Sequence, residues 1–192
     1  MTITPASTHF AAGLKELADL AIKVGEALGP ELVEAQAMVR AAVSRGGTLF
    51  FCGNGGSAAD AQHLATEYVV RYMRSRRAYP AVALTTDSSL LTAAGNDLGF
   101  EQVFARQVDA LAKPGDLLII HSTSGNSPNV LRAAEVARSK EVKVLAFSAR
   151  DGGELRALAD LSVIIPTDRT DRAQELHLCI EHLICELVEH EL

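Results

Sequence analysis

Tryptophan is absent from the chain, and aromatic residues together fill only 5% of its 192 positions. The apolar share of 48% therefore leans on Ala, Leu and Val. That composition suits closely packed helices or subunit contacts rather than a β-sandwich built on large rings. Cysteine is scarce as well: Cys52, Cys179 and Cys185 are odd in number and contain no C-x-x-C pair. They read as buried free thiols in a reducing compartment, with Cys179 and Cys185 on different faces of one helix. No window approaches ~18 consecutive apolar residues, so no membrane partner is expected. Met1 to Phe10 lacks a basic stretch leading into an apolar run, so a secretory signal is not expected and the cytoplasm is. Positive charge is short too, 18 Lys and Arg against 24 Asp and Glu, a formal charge of −6. This argues against nucleic acid as a general partner, though not against a small anionic ligand.

What is present alternates. Five short, nearly continuous apolar runs, Thr48 to Cys52, Ala81 to Leu84, Asp116 to Ile120, Lys143 to Phe147 and Leu161 to Ile165, suit strands buried on both faces. Helical patterns fill the gaps at about 57–73, 88–112, 128–140 and 152–159. Two more, about 8–28 and 31–45, precede the first run, with a break at Gly29-Pro30, and a last one spans about 171–191. The pattern predicts one α/β domain with a five-stranded parallel sheet flanked by helices. Residues 1–45 form a helical segment, 46–170 the α/β core and 171–192 a long C-terminal helix.

In such sheets ligands bind beyond the carboxyl ends of the strands, so the loops there carry the argument. The first strand leads into Gly53-Asn54-Gly55-Gly56-Ser57-Ala58-Ala59-Asp60. Its glycines allow close approach to the backbone, and Ser57 with Asp60 resembles a capping box that would open a helix at an anion. The relaxed dinucleotide fingerprint also fits Gly53, Gly55 and Ala58. Its usual acidic partner is replaced by Arg71, Arg74, Arg76 and Arg77, which leaves an NADP-dependent oxidoreductase as an alternative. The third strand leads into His121-Ser122-Thr123-Ser124-Gly125-Asn126-Ser127-Pro128. Here Ser127 suits an N-cap, Pro128 a first helical position, and the hydroxyls suit a phosphate monoester.

Side chains with metal or acid–base chemistry lie on two helices. His63 and Glu67 are four apart and share a face, a spacing that can hold one Zn²⁺, although Arg71 extends the same stripe as a solvated charged face would. On the last helix Leu176, Ile180, Leu183 and Leu187 form an expected apolar side, with His182 opposite beside Glu175, Glu186 and Glu189. Gln174 also fits a capping box opened by Asp171.

The run Gly53 to His63 together with Ser122 to Ser127 resembles the sugar isomerase (SIS) fold, a flavodoxin-like three-layer sandwich. Within it the chain is similar to the phosphoheptose (sedoheptulose 7-phosphate) isomerase family. The likeness continues through Thr85-Thr86-Asp87, Gly95-Asn96-Asp97, Gln174-Glu175-x-His177 and His182. It implies an aldose–ketose isomerase in which Glu67 and His182 are the acid–base pair. His63, Glu67, Gln174 and His182 would be the ligands of one zinc ion per subunit. Asn54, Gly55, Gly56, Asn96 and Asp97 would contact the sugar, with Glu67 and Gln174 alongside, and Ser122, Thr123, Ser124 and Ser127 would hold the phosphate. The resemblance also implies a homotetramer. Gln174 and His182 are eight residues apart, about 12 Å of rise on a continuous helix. Both reach one ion only if the helix starts after Gln174 or different subunits contribute, so an active site at a subunit interface is expected. Two non-enzymatic SIS readings remain beside it, a protein that binds the replication initiator and a sugar-phosphate sensor. The presence of Glu67 and His182 favours the enzyme. Ala173 and the segment Tyr68 to Tyr79 depart from the family pattern, which bears on the sugar preferred.

Overall fold

The five apolar runs become five strands, β1 Leu49–Gly53, β2 Ala81–Ala83, β3 Leu117–His121, β4 Lys143–Ala149 and β5 Leu161–Ile165, in a computed structural model that describes residues 5–192. The first four residues of the Met1 to Phe10 stretch lie outside the described residues. All neighbours pair in parallel, in the order β2-β1-β3-β4-β5. Every residue of β1 and β3 is buried, as a sheet covered on both faces requires. Alternate residues feed two cores. Phe51, Leu117, Ile119, Leu145 and Phe147 pack with one set of helices, while Phe50, Cys52, Leu118, Ile120 and Val144 pack with the other.

The covering helices are α1 Ala6–Ala27, α2 Gly29–Ser44, α3 Gly56–Val69, α4 Ser88–Asp97, α5 Ala105–Leu111, α6 Pro128–Ser139, α7 Leu155–Leu158 and α8 Thr170–Glu191. The result is the expected three-layer α/β sandwich. Its strand order reverses between β1 and β3, and such a switch point opens a crevice at the carboxyl ends of those two strands. Among the described residues no helix is long and apolar enough to cross a membrane.

Several local expectations are corrected. The helix expected over 57–73 stops at Val69 because the N–H groups of Tyr72, Met73 and Arg74 turn to the Glu189 carboxylate instead of to carbonyls of their own helix. The stretch 88–112 divides at Gly99, whose φ of 94° ends α4 before a 3-10 turn at Phe100–Gln102 and then α5. The capping box at Ser57 does not form: Gly55, with φ 57°, caps α3, and Ser57 is buried in its first turn. Cys52 and Cys185 are buried as expected, whereas Cys179 is exposed.

The apolar phase of α8 is also rotated from expectation. Leu176 and Ile180 are buried, but they are joined by Ile184, Cys185 and Val188, while Leu183 and Leu187 are 54% and 49% exposed. Polarity misled the reading: His177, Glu181 and Glu189 lie on the buried side because each finds a partner there.

Candidate active site

At the switch point the Gly53–Gly56 loop faces the serine loop across a cleft of about 290 Å³. Its lining includes Asn54, Gly55, Gly56, Ser122, Thr123, Ser124, Ser127 and Gln174, which places eight of the expected substrate contacts together. Backbone approach is tight. A Cβ on Gly56 would sit 2.6 Å from the Gln174 carboxamide oxygen, so any other residue there would push the Gln174 side chain out of its place beside the start of α3. Gly125, at φ 64°, likewise lets the serine loop lie against the backbone of Gly152. The hydroxyl oxygens of Ser122 and Ser124 accept the N–H groups of Gly125 and Asn126, both at 3.2 Å, which fixes the loop and turns each O–H proton to donor duty. Ser127 and Pro128 open α6 as expected, and the Ser127 side chain makes no cap bond, which suits it to a ligand. The cleft thus offers hydroxyls and first-turn N–H groups of two helices, the donor set of an anion site.

Beneath this loop pair lies an arrangement the sequence reading missed. Asn54 and Asn129 exchange two amide hydrogen bonds, 2.9 and 2.8 Å, and so lock the two loops to each other. His121, fully buried at the end of β3, meets Glu181 of α8 at 2.5 Å. Burial works against charge on both side chains, yet the Glu181 carboxylate draws the His121 pKa upward. His177 bonds the Ser148 carbonyl at 3.0 Å, and burial pushes its pKa down to about 3. No spacing rule could have paired residues so distant in the chain.

The second group lies on the flank of α3 and α8. His63 Nε2 is 2.9 Å from His182 Nε2 and 3.3 Å from Glu67 Oε1, and one ligand atom from each of the three side chains lies within 4.8 Å of the others. Burial and the neighbouring His63 lower the His182 pKa against the opposing pull of Glu67, so its imidazole is largely neutral at pH 7. Tyr72 stacks on the His182 ring, centroids 5.3 Å apart and planes 17° apart. Two imidazole nitrogens and a carboxylate oxygen with this spacing fit a single divalent ion.

The cleft and this trio are separate within one chain. α8 runs unbroken from Thr170, so Gln174 and His182 stand about 12 Å apart along it, and Gly56 and Glu67 about 16 Å along α3. One of the two ways for Gln174 to join His182 at an ion, a helix starting after it, is therefore closed. Gln174 instead lies by Ser57, 3.4 Å from its hydroxyl. Asn96 and Asp97 belong to neither group; they sit exposed at the end of α4, bonded to each other at 2.6 Å. The arginine cluster does not form a cofactor-phosphate site as a unit. Arg76 is turned inward, paired with Glu189 at 2.8 Å and bonded to the carbonyls of Glu67 and Tyr68.

Comparison with known proteins agrees with the fold. The SIS domain family model matches residues 14–149. The chain is 48% identical over 175 residues to a phosphoheptose isomerase of Rhodospirillum rubrum, covering 91% of this chain and 93% of that one. The structure of a phosphoheptose isomerase from Neisseria gonorrhoeae superposes with a TM-score of 0.90 at 40% identity, covering 96% and 98% of the two chains. That of a phosphoheptose isomerase from Francisella tularensis gives 0.93 at 33% identity, covering 97% and 100%. The glycine and serine loops, the Glu67–His182 meeting and these likenesses converge: the chain belongs to the phosphoheptose isomerase family of SIS-domain proteins.

Proposed function

We propose that this chain converts sedoheptulose 7-phosphate to a heptose 7-phosphate of the D-glycero-D-manno type through an enediol. The observation that carries this reading is the meeting of Glu67 and His182, a carboxylate and a largely neutral imidazole, on the flank of a family-typical sugar-phosphate fold. The demanding step is removal of a proton from carbon beside a carbonyl, which needs a positioned base and a partner for the oxygen charge. Glu67 moves the proton between C1 and C2. His182 exchanges protons with the adjacent oxygens. The Ser122–Ser127 loop holds the phosphate, with Asn54, Gly55 and Gly56 at the sugar and Asn96 and Asp97 reaching it from α4.

His63, Glu67 and His182 would hold a zinc ion, and the zinc would supply Lewis-acid polarisation of the sugar oxygens. The chemistry of the donor set supports this, since borderline imidazole nitrogen and a hard carboxylate together suit zinc.

The active site is completed between copies of the chain, in a homotetramer. Two observations support this. The phosphate cleft and the Glu67–His182 pair are too far apart along α3 and α8 to be neighbours in one chain, and Gln174 lies with the cleft. Phe10 and Leu14 on α1 and Leu183 and Leu187 on α8 also expose large apolar side chains of the kind a subunit contact covers. The cytoplasm is the compartment in which free thiols and a sugar phosphate are both at home.

Incubation of purified protein with sedoheptulose 7-phosphate, followed by NMR with and without a chelator, tests the proposal. Conversion to the heptose phosphate is expected, with the configuration at C2 read from the same spectra. Absence of conversion by folded, metal-replete protein would refute it.

A further inference from the structure

The mechanism leaves the buried carboxylate of Glu189 unexplained. Glu189 lies on α8 seven residues beyond His182, and its side chain is 2% exposed. It accepts the backbone N–H groups of Tyr72, Met73 and Arg74 at 2.8, 2.9 and 2.9 Å and pairs with Arg76 Nε at 2.8 Å. Arg76 in turn donates to the carbonyls of Glu67 at 2.6 Å and Tyr68 at 2.9 Å, and its guanidinium lies 4.1 Å from the Tyr79 ring centroid. A carboxylate that is desolvated yet meets three N–H groups and a guanidinium is a fixed point, because any other backbone path would leave its charge unmatched. The segment so fixed does two things at the trio. Arg76 ties off the last turn of α3 at Glu67 itself, and Tyr72 is delivered with its ring flat against His182.

We propose that Tyr72, held by the Glu189–Arg76 clamp, is a positioning residue that backs the His182 imidazole and keeps its Nε2 aimed at His63 and Glu67. The inference rests on His182 being an acid–base group, as proposed above. His182 meets His63 edge-on, ring centroids 5.1 Å apart, and Tyr72 nearly in parallel, so removing Tyr72 takes away the ring that lies flat against the imidazole and frees it to rotate. Orientation within tens of degrees is worth an order of magnitude in proton transfer. Contact area, not the phenol hydroxyl, supplies the effect.

The test compares Tyr72→Ala with Tyr72→Phe in the full oligomer, with Glu189→Gln as an independent way to loosen the same segment. Tyr72→Ala is expected to lower kcat about tenfold with KM within about twofold, and Tyr72→Phe to restore kcat. In protein labelled with ¹³C at histidine Cε1, the His182 Cε1–H resonance should move downfield in Tyr72→Ala as the shielding ring is lost. It should stay in place in Tyr72→Phe and move the same way in Glu189→Gln. A kcat unchanged in Tyr72→Ala, or a resonance that does not move, would overturn the proposal, as would a loss of thermal stability alone. Turnover retained by His182→Gln would overturn it too; a downfield move in Tyr72→Ala would then place the failure in the role given to His182, not in the stacking.

Discussion

The serine-loop cleft and the His63–Glu67–His182 trio are built in opposite ways. The cleft is made of backbone: glycines at Gly55, Gly56 and Gly125, helix N-termini, and small hydroxyls whose oxygens are already engaged by loop N–H groups. Such a cleft needs no net positive charge to suit an anion, so the formal charge of −6 is no obstacle to the proposed phosphate contact. The trio is made of long side chains on the exposed flank of two helices, and its precision comes from packing behind it rather than from the local chain. Fixed dipoles suit a ligand whose charge is constant, whereas mobile titratable groups suit a reaction in which protons move. On the proposed function, binding and chemistry divide along this difference in construction.

Substitutions should separate the two regions kinetically. Glu67→Gln is expected to lower kcat by on the order of 10²- to 10⁴-fold with KM little changed, measured by steady-state turnover of sedoheptulose 7-phosphate. Ser124→Ala should do the reverse, raising KM on the order of tenfold through the loss of one donor to a charged group while kcat holds. A kcat effect from the serine and a KM effect from the glutamate would break the comparison. Metal binding should also respect the boundary. Calorimetric titration of zinc into chelator-stripped protein should weaken by at least about tenfold in His63→Ala and stay unchanged in Ser124→Ala.

A different kind of effect, on stability, concerns the buried histidine His177. His177 is fully buried and titrates near 3 instead of near 6.5, so the unfolded chain binds a proton between those values that the folded chain does not. Stability contributed by this group is present above about pH 6.5 and is lost as the pH falls toward 3, with a slope approaching about 1.4 kcal/mol per pH unit. Urea midpoints measured from pH 7 to pH 4 should fall less steeply in His177→Gln than in the parent chain. Equal slopes would show that His177 does not set the acid limit.

The cleft was the legible region because its grammar is local. Glycines after β1 and hydroxyls before Pro128 announce turns and helix starts at the very residues that line it. Even so, Asn129 and His121 were passed over, since their partners Asn54 and Glu181 lie far away in sequence. Of the trio, His63 and Glu67 were visible as an i,i+4 pair, but nothing in the spacing joins them to His182. That meeting depends on how α3 packs against α8, and only the family resemblance suggested it. The phase of α8 was misread because a helix face carrying His177, Glu181 and Glu189 looks solvated until its partners are known. Glu189 explains the other main miss: a carboxylate on the last helix ends α3 at Val69 by capturing N–H groups that the helical pattern assigned to continued helix.

The central claim, that phosphate cleft and proton-transfer group meet only between copies of the chain, has a direct test in mixed oligomers. Glu67→Gln and a Thr123→Val, Ser124→Ala double variant, each nearly inactive alone at substrate concentrations well below the parent KM, would be co-expressed with different tags, purified through both and assayed at such concentrations. If each site takes its cleft from one copy and its Glu67 from another, random pairing restores about a quarter of the sites to the parent composition. Turnover of the mixed oligomer should then rise well above that of either variant. Mixed oligomers no more active than the variants alone would place the whole site in one chain and contradict the account.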